Sequence, residues 1–462
     1  MFFHRRTIPG LAIHSYLIGN ESSGECAVID PVRDVEEYLQ LTKENGLEIC
    51  YILETHVHAD FVSGSKELKK ASKGKAQIYC SGLGGEAWTP SYADCVVKDG
   101  DEIAMGNLVL KAIHTPGHTP EHISWLLSED GEEIKLFTGD LLFVGAVGRP
   151  DLLGKEEMDR LSHQLYDSVF KKLSQFSDFV EVRPAHGAGS LCGKALGSAP
   201  YSSMGIERSH NLYLKEKPEN EWINALLDEM PLAPHYFTRM KKVNIKGAEF
   251  VEKVTKDLKP LTVKEVKEKS AEGAMFLDLR SKEAFSSAHI PGSINIPISP
   301  QVSTWAGWVL PYPTPVVLIL EEDEHLEPAV TQLLRIGYDC ILGFLKGGIR
   351  EWETSGSKLS ELNILSVQDL IKNLGDTFVV DIRTKSEWDR GHIQSAHFIE
   401  GGQIAERINE IPKDRQVAVI CGSGFRASII ASLLKRSGYD KISNVFGGMQ
   451  AWIQEGYPVS GQ

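Results

Sequence analysis

Cysteine is scarce and unpaired in this sequence: Cys26, Cys50, Cys80, Cys95, Cys192, Cys340 and Cys421 are scattered over 462 positions, with no C-x-x-C pair among them. An odd, dispersed set disfavours a disulfide framework or a structural zinc cage. Long apolar runs are also missing. No stretch approaches the roughly 18 uninterrupted apolar residues of a membrane span, so no membrane partner is expected. The start, Met1-Phe2-Phe3-His4-Arg5-Arg6, is not followed by an apolar run with a small-residue cleavage site, which argues against a signal peptide and makes a reducing cytoplasm the expected compartment. Positive charge is in deficit, with a formal net charge of -14, and this disfavours the phosphate-neutralising surface that a nucleic-acid partner would need.

Apolar residues are plentiful at 42%, and the length exceeds one ordinary core, so several domains are expected. Up to about Arg183, short apolar runs alternate with Gly-bearing loops, as strands do, and helical spacing appears in Val35, Tyr38, Leu39 and Thr42 and again from Leu161 to Leu173. After the Pro-bearing stretch Pro218 to Pro234, a lysine-rich run from Lys241 to about Pro260 reads as a connector and the main boundary.

Beyond that boundary the sequence repeats itself. Phe276 to Arg280 returns as Val379 to Arg383, Ala288-His289-Ile290 as Gly391-His392-Ile393, Gly337-Tyr338-Asp339 as Gly438-Tyr439-Asp440, and Gly347 to Trp352 as Gly447 to Trp452. A period of about one hundred residues is a duplicated domain, because solenoid units are several times shorter. In each copy a buried-type strand precedes a helical pattern, which predicts parallel α/β sheets.

Four polar motifs in the first region each follow a short apolar run, a context that places them on loops at one sheet edge. They are Thr55-His56-Val57-His58-Ala59-Asp60, Thr115-Pro116-Gly117-His118, Thr138-Gly139-Asp140 and Pro184-Ala185-His186-Gly187. Imidazole and carboxylate are ligands preferred by first-row divalent metals, and neighbouring Gly and Pro let a loop hold a fixed turn beside an ion.

In this order, H-x-H-x-D, T-P-G-H, T-G-D and P-A-H-G resemble the metallo-β-lactamase superfamily over roughly the first 190 residues. The resemblance implies a two-metal site, with His56, His58 and His118 on one ion, Asp60, the following residue and His186 on the other, and Asp140 between them. Here the following residue is Phe61 rather than histidine. That departure resembles the persulfide dioxygenase branch, in which one iron is held by two histidines and an aspartate. The match implies a mononuclear Fe(II) on His56, His118 and Asp140, with zinc the alternative, while His58, Asp60 and His186 orient ligands or hydrogen-bond bound water.

The same branch implies that Arg149, in Gly148-Arg149-Pro150-Asp151, steadies a sulfur oxyanion, and that Arg208, in Glu207-Arg208 with Asn211 nearby, contacts the thiol carrier. Cys192, six residues after His186, is either a thiol carried to the metal or a small packed residue.

In the last hundred residues an apolar run ends in Cys421-Gly422-Ser423-Gly424-Phe425-Arg426 and helical spacing begins at once. A thiolate there lies among backbone N–H groups at the positive end of a helix dipole, with Arg426 adding charge. With the flanking repeats, the loop resembles the rhodanese active site, which implies that Cys421 carries sulfane sulfur and that Gly422 to Arg426 cradle it. In the first copy, counting back from Gly-Tyr-Asp puts Leu320 at the cysteine position and Glu321 to His325 through the loop, so that copy is expected to be inactive.

The expectation is an α/β protein: an αββα metallo-β-lactamase sandwich over 1–245, a degenerate rhodanese domain with a parallel sheet over 259–358, and an active one over 362–462. The order resembles bacterial fusions of persulfide dioxygenase and sulfurtransferase. That implies oxidation of glutathione, coenzyme A or similar thiol persulfide by O2 to sulfite and thiol, with sulfite and thiosulfate exchanged at Cys421 and a homo-oligomeric assembly. The alternatives are a metal-dependent thioester hydrolase of hydroxyacylglutathione hydrolase type and a sulfur-relay or scaffold protein.

Overall fold

A computed structural model describes residues 1–228 and 230–461; Glu229, inside the expected first domain, and Gln462, the end of the expected third, lie outside the described residues. The chain divides into two compact units, Met1–Lys253 with Leu334–Gly337, and the remainder from Val254 onward.

In the first unit the alternating apolar runs form two six-stranded sheets. One runs Phe2–Ile8, Ile13–Gly19, Glu25–Ile29, Glu48–Leu53, Gln77–Ser81, Cys95–Val97 in spatial order, and the other Ser202–Ser203, Glu181–Pro184, Glu132–Gly139, Ile123–Glu129, Leu108–His114, Glu102–Met105. Their facing sides share one core, in which Tyr16, Ile18 and Leu53 of the first sheet meet Leu110, Trp125 and Phe137 of the second. Helix Ser65–Ala71 covers the outer face of the first sheet, and helix Lys155–Asp167 packs with Trp222 on Ile113, Leu126 and Leu136 of the second. This is the αββα layering expected from the sequence, because each sheet needs both faces buried.

The lysine-rich stretch expected to be a connector is not one throughout. Its first part belongs to a helix, Phe237–Lys246, which buries Phe237, Met240 and Asn244. The lysines occupy other positions of the helix, and the apolar residues are too sparse to show a period in the sequence.

The second unit holds two five-stranded sheets with every pairing parallel. Their orders are Pro260–Leu261, Ile341–Leu345, Val316–Ile319, Met275–Asp278, Ile294–Asn295, and Asn363–Leu365, Ile442–Val445, Gln416–Ile420, Thr377–Asp381, His397–Phe398. The sequence repeat is thus a repeat of topology, with cores centred on Phe276, Ile319 and Trp352 in one copy and on Val379, Ile420 and Trp452 in the other. Among the described residues, no helix is long and apolar enough to cross a membrane.

Candidate metal centre and sulfur-carrying loop

Each of the four histidine and aspartate motifs follows a strand end: His56 follows Glu48–Leu53, His118 follows Leu108–His114, Asp140 follows Glu132–Gly139, and His186 follows Glu181–Pro184. The turns are tight. Gly139 has a φ of +50°, and a Cβ there would lie 2.4 Å from His122 Nε2 and 2.9 Å from Thr55, so the T-G-D turn requires glycine.

The structure brings His56, His118 and Asp140 together in a buried group. Asp140 Oδ2 lies 3.7 Å from His56 Nε2 and 3.4 Å from His118 Nε2. The other ring nitrogens are occupied: His56 Nδ1 bonds Thr55 Oγ1 at 2.9 Å, and His118 Nδ1 donates to the Arg149 carbonyl at 2.9 Å. Thr55 Oγ1 in turn donates to Asp30 at 2.8 Å. Both Nε2 lone pairs therefore point at Asp140, the arrangement by which outer hydrogen bonds prepare imidazoles for a metal.

The two Nε2 atoms and both Asp140 oxygens are buried without a hydrogen-bond partner among the described residues, which would be costly unless a cation completes them. Burial holds His118 neutral, with its pKa lowered to about 3, and pushes His56 well below its ordinary value; neutral imidazole is the ligand form. Burial and then Asp60 push the Asp140 carboxyl up, a pressure that a bound cation would reverse. The donor set fits a divalent metal.

A second buried group joins Asp60, His186 and Cys192. His186 Nε2 lies 3.5 Å from Asp60 Oδ2 and 3.4 Å from Asp140 Oδ1, so Asp140 faces both groups. Cys192 is 1% exposed, and its thiol is pushed well up by burial and by Asp60 and Asp140. His58 turns elsewhere. Its Nε2 stands 3.2 Å from Asp30 Oδ1 and 3.2 Å from Glu54 Oε2, and although burial opposes its charge, Asp30 and then Glu54 raise its pKa well above the ordinary value. The ring of fully buried Phe61 lies 4.2 Å from the His58 ring.

Two arginines singled out from the sequence are already engaged. The guanidinium of buried Arg149 binds both carboxylate oxygens of Asp151 at 2.7 Å and the Leu191 carbonyl at 2.9 Å, while its own carbonyl orients His118. Arg208 spends its donors on Asp178 and on the carbonyls of Leu173 and Phe176, none of which belongs to the metal group. In this arrangement the Arg208 side chain caps the end of a neighbouring helical segment. Neighbouring Glu207 is buried, accepting from Gly145 N and Asn211 Nδ2.

Several site residues carry no clear signal in the sequence. Asp30, at a strained φ of +48°, anchors Thr55 and His58 together. His122 accepts from Asp140 N at 3.0 Å, and its four-residue spacing from His118 is the one available hint. Glu121 holds Val57 N at 2.7 Å, and burial raises its carboxyl to about 7. Asn244 donates to the carbonyls of His58 and Phe61.

In the second unit Cys421 follows strand Gln416–Ile420 and precedes helix Phe425–Arg436. Its buried Sγ accepts from Gly424 N at 3.2 Å, with Gly424 at φ +89°. Met449 N and Gln450 N bond the carbonyls of Cys421 and Gly422, which ties Gly422 and Ser423 into a fixed turn. Arg426, which also interacts with Cys421, makes a two-pronged pair with Glu387 at 2.6 and 2.7 Å. Burial works against the Glu387 carboxylate, yet Arg426 holds its pKa at about 2. In the other copy Asp278 pairs with Ile319 as Asp381 pairs with Ile420, so register puts Leu320 where Cys421 stands.

Residues 8–186 match the metallo-beta-lactamase superfamily, and residues 262–355 and 366–455 each match the rhodanese-like domain. A crystal structure of a metallo-beta-lactamase from Staphylococcus aureus subsp. aureus COL is 36% identical, covers 75% of this chain and 98% of its own, and superposes with a TM-score of 0.67. The chain belongs to the metallo-β-lactamase superfamily. Two rhodanese-like domains follow its metallo-β-lactamase domain. Among curated relatives of that domain, the mitochondrial persulfide dioxygenase ETHE1 of Homo sapiens is 34% identical over 179 residues, 38% of this chain and 65% of that protein. The cytoplasmic hydroxyacylglutathione hydrolase of Arabidopsis thaliana is 35% identical over 175 residues, 37% of this chain and 63% of its own. The chain thus spans slightly less than two thirds of the length of these relatives.

Proposed function

We propose that the chain is an iron-dependent persulfide dioxygenase coupled to a sulfurtransferase. The observation that carries this reading is the ligand set. Two histidines and one carboxylate converge at His56, His118 and Asp140, while Phe61 stands in place of a further histidine and His58 is drawn to Asp30 and Glu54. Such a set with open positions suits a non-haem Fe(II) that activates O2 beside a bound sulfur. Around it, the Thr55–Asp30 chain and the Arg149 carbonyl hold the imidazoles in their ligating form, and Asp60 and His186 border the side on which a persulfide would be oriented. The substrate is a low-molecular-weight thiol persulfide, whose outer sulfur O2 oxidises by four electrons, with water supplying the third oxygen, to give sulfite, the free thiol and two protons.

At the second site the Cys421 thiolate attacks the outer sulfur of a persulfide, forming a cysteine persulfide and releasing the thiolate of the carrier. Sulfite then attacks that outer sulfur, giving thiosulfate and restoring the Cys421 thiolate. Backbone N–H groups of the loop and Arg426 stabilise the sulfur anion in both steps.

A second reading, a zinc-dependent thioester hydrolase, is favoured by the Asp60–His186 pair facing Asp140, where a general base would act. Metal analysis and O2 uptake on anaerobically purified protein, with glutathione or coenzyme A persulfide added, separate the two. About one iron per chain with persulfide-dependent O2 consumption is the expected result; zinc without O2 uptake overturns it in favour of the hydrolase.

A further inference from the structure

A cavity of about 610 Å³ opens beside the metal group, within the usual size range of small-molecule sites. One wall is Val57, Ala59 and Thr119, the chain neighbours of His56, Asp60 and His118. Trp88, Phe237 and Lys241 also line the cavity, the last two on the helix that runs into the stretch expected to be a connector.

Charge is unevenly committed around this cavity. Arg160, on its rim, is already bonded to Glu157 and Gln164. The half-buried Lys241 ammonium makes no hydrogen bond or ion pair with any described residue and rests over the Trp88 ring, 3.5 Å from its centroid. Burial lowers its pKa, and Glu121 and Glu157 act on it only at longer range. A lysine whose ammonium is restrained over an aromatic face, partly desolvated and without a counter-ion, is prepared to receive an anion. Arg208, by contrast, is paired with Asp178 and bonded to helix-end carbonyls, and it does not line this cavity.

We propose that this cavity seats the thiol carrier, with the reacting sulfur toward the metal group and an anionic group of the carrier, carboxylate or phosphate, bound by Lys241. The apolar faces of Val57, Trp88 and Phe237 take the linker between those ends. The assignment rests on the persulfide reading only for the identity of the reacting sulfur; the anion site stands on the cavity and its uncommitted cation.

The test is calorimetric titration of the full chain with reduced glutathione as the carboxylate probe, coenzyme A as the phosphate probe, and 2-mercaptoethanol as the uncharged control. Wild type should bind at least one charged thiol more tightly than the control. Lys241→Gln should weaken that binding about tenfold or more, the loss of a charge-assisted hydrogen bond, with metal content and thermal melting unchanged. Lys241→Arg should retain most of the affinity. Loss on glutathione identifies a carboxylate, and loss on coenzyme A a phosphate. Equal affinity in wild type and Lys241→Gln overturns the proposal, as does a wild type that prefers neither charged thiol. If Lys241-dependent binding persists but no persulfide-dependent O2 uptake is found, the oxygenase reading fails and the cavity assignment stands. Persulfide-dependent O2 uptake without Lys241-dependent binding keeps the oxygenase reading and sinks the cavity assignment.

Discussion

The two rhodanese-like copies share nearly everything except the cysteine loop. Both contain a buried carboxylate–guanidinium pair two residues apart, Asp278–Arg280 at 2.6 Å and Asp381–Arg383 at 2.7 Å. Both stack a histidine on an aromatic ring, His289 on Phe285 at 3.9 Å and His392 on Trp388 at 3.6 Å. Both pin a core tryptophan by its indole N–H, Trp352 to the Lys358 carbonyl and Trp452 to the Pro458 carbonyl, each at 3.0 Å. The repeated motifs therefore maintain the sheet and its edges. What differs is a thin additional layer, a thiol, its turn and the Arg426–Glu387 pair, to which we assign the proposed sulfur chemistry; the copy without that layer keeps the same sheet.

Exchange at the cysteine position tests that separation most severely. Cys421→Ser should lower sulfur transfer from thiosulfate to cyanide by about a thousandfold or more, with metal content and melting temperature unchanged. Adding Leu320→Cys to that variant should restore nothing, because the Glu321 to Glu324 loop supplies negative charge where Gly422 to Arg426 supply donors. Measurable transfer in the double variant would break the comparison.

A smaller effect probes the shared scaffold. Asp278→Asn and Asp381→Asn each leave a buried arginine uncompensated and should cost about 3–5 kcal/mol in denaturant unfolding. Similar costs in the two copies sharpen the view that the pair is structural; a cost in the active copy alone assigns it to the sulfur site instead.

The smallest effect is specific to the cysteine-bearing copy. Glu387→Gln should remove about 2 kcal/mol of stability, the range for hydrogen bonds to a charged group, and should slow sulfur transfer by loosening Arg426. Against the opposing effect of burial, Arg426 and the Thr384 backbone depress the Glu387 pKa from 4.5 to about 2, so the stabilisation is complete above about pH 4.5 and disappears as pH falls through about 2. Unfolding free energies of wild type and variant across that window should converge at the acid end; a gap that persists there would contradict the assignment.

Legibility from sequence followed the range of the interactions. The candidate metal group is legible because its histidines and aspartate sit in short motifs at strand ends, as at Thr138-Gly139-Asp140, and the cysteine loop because its donors and its cysteine are neighbours in the chain. Asp30 is not legible, since its role depends on meeting Thr55 and His58 across a sheet edge. Neither is Asn244, which reaches the carbonyls of His58 and Phe61 from a helix more than 180 positions away. Arg149 and Arg208 stand out in the sequence for their charge, which is a property of the residue; what they bind, Asp151 and Leu191 in one case and Asp178 and two helix-end carbonyls in the other, is a property of the packing.

The order of strands and helices, the duplication, the candidate ligand types and the absence of a thiol at Leu320 were thus determined by the sequence itself, because each depends on periodicity or on residues adjacent in the chain. Which histidine faces Asp140 and which turns to Asp30, which arginine is already spent, and which lysine stands uncommitted over a tryptophan were decided only in three dimensions. A side chain's chemistry is carried by its own atoms, but its partner, its burial and so its protonation are set by groups that only folding brings within reach.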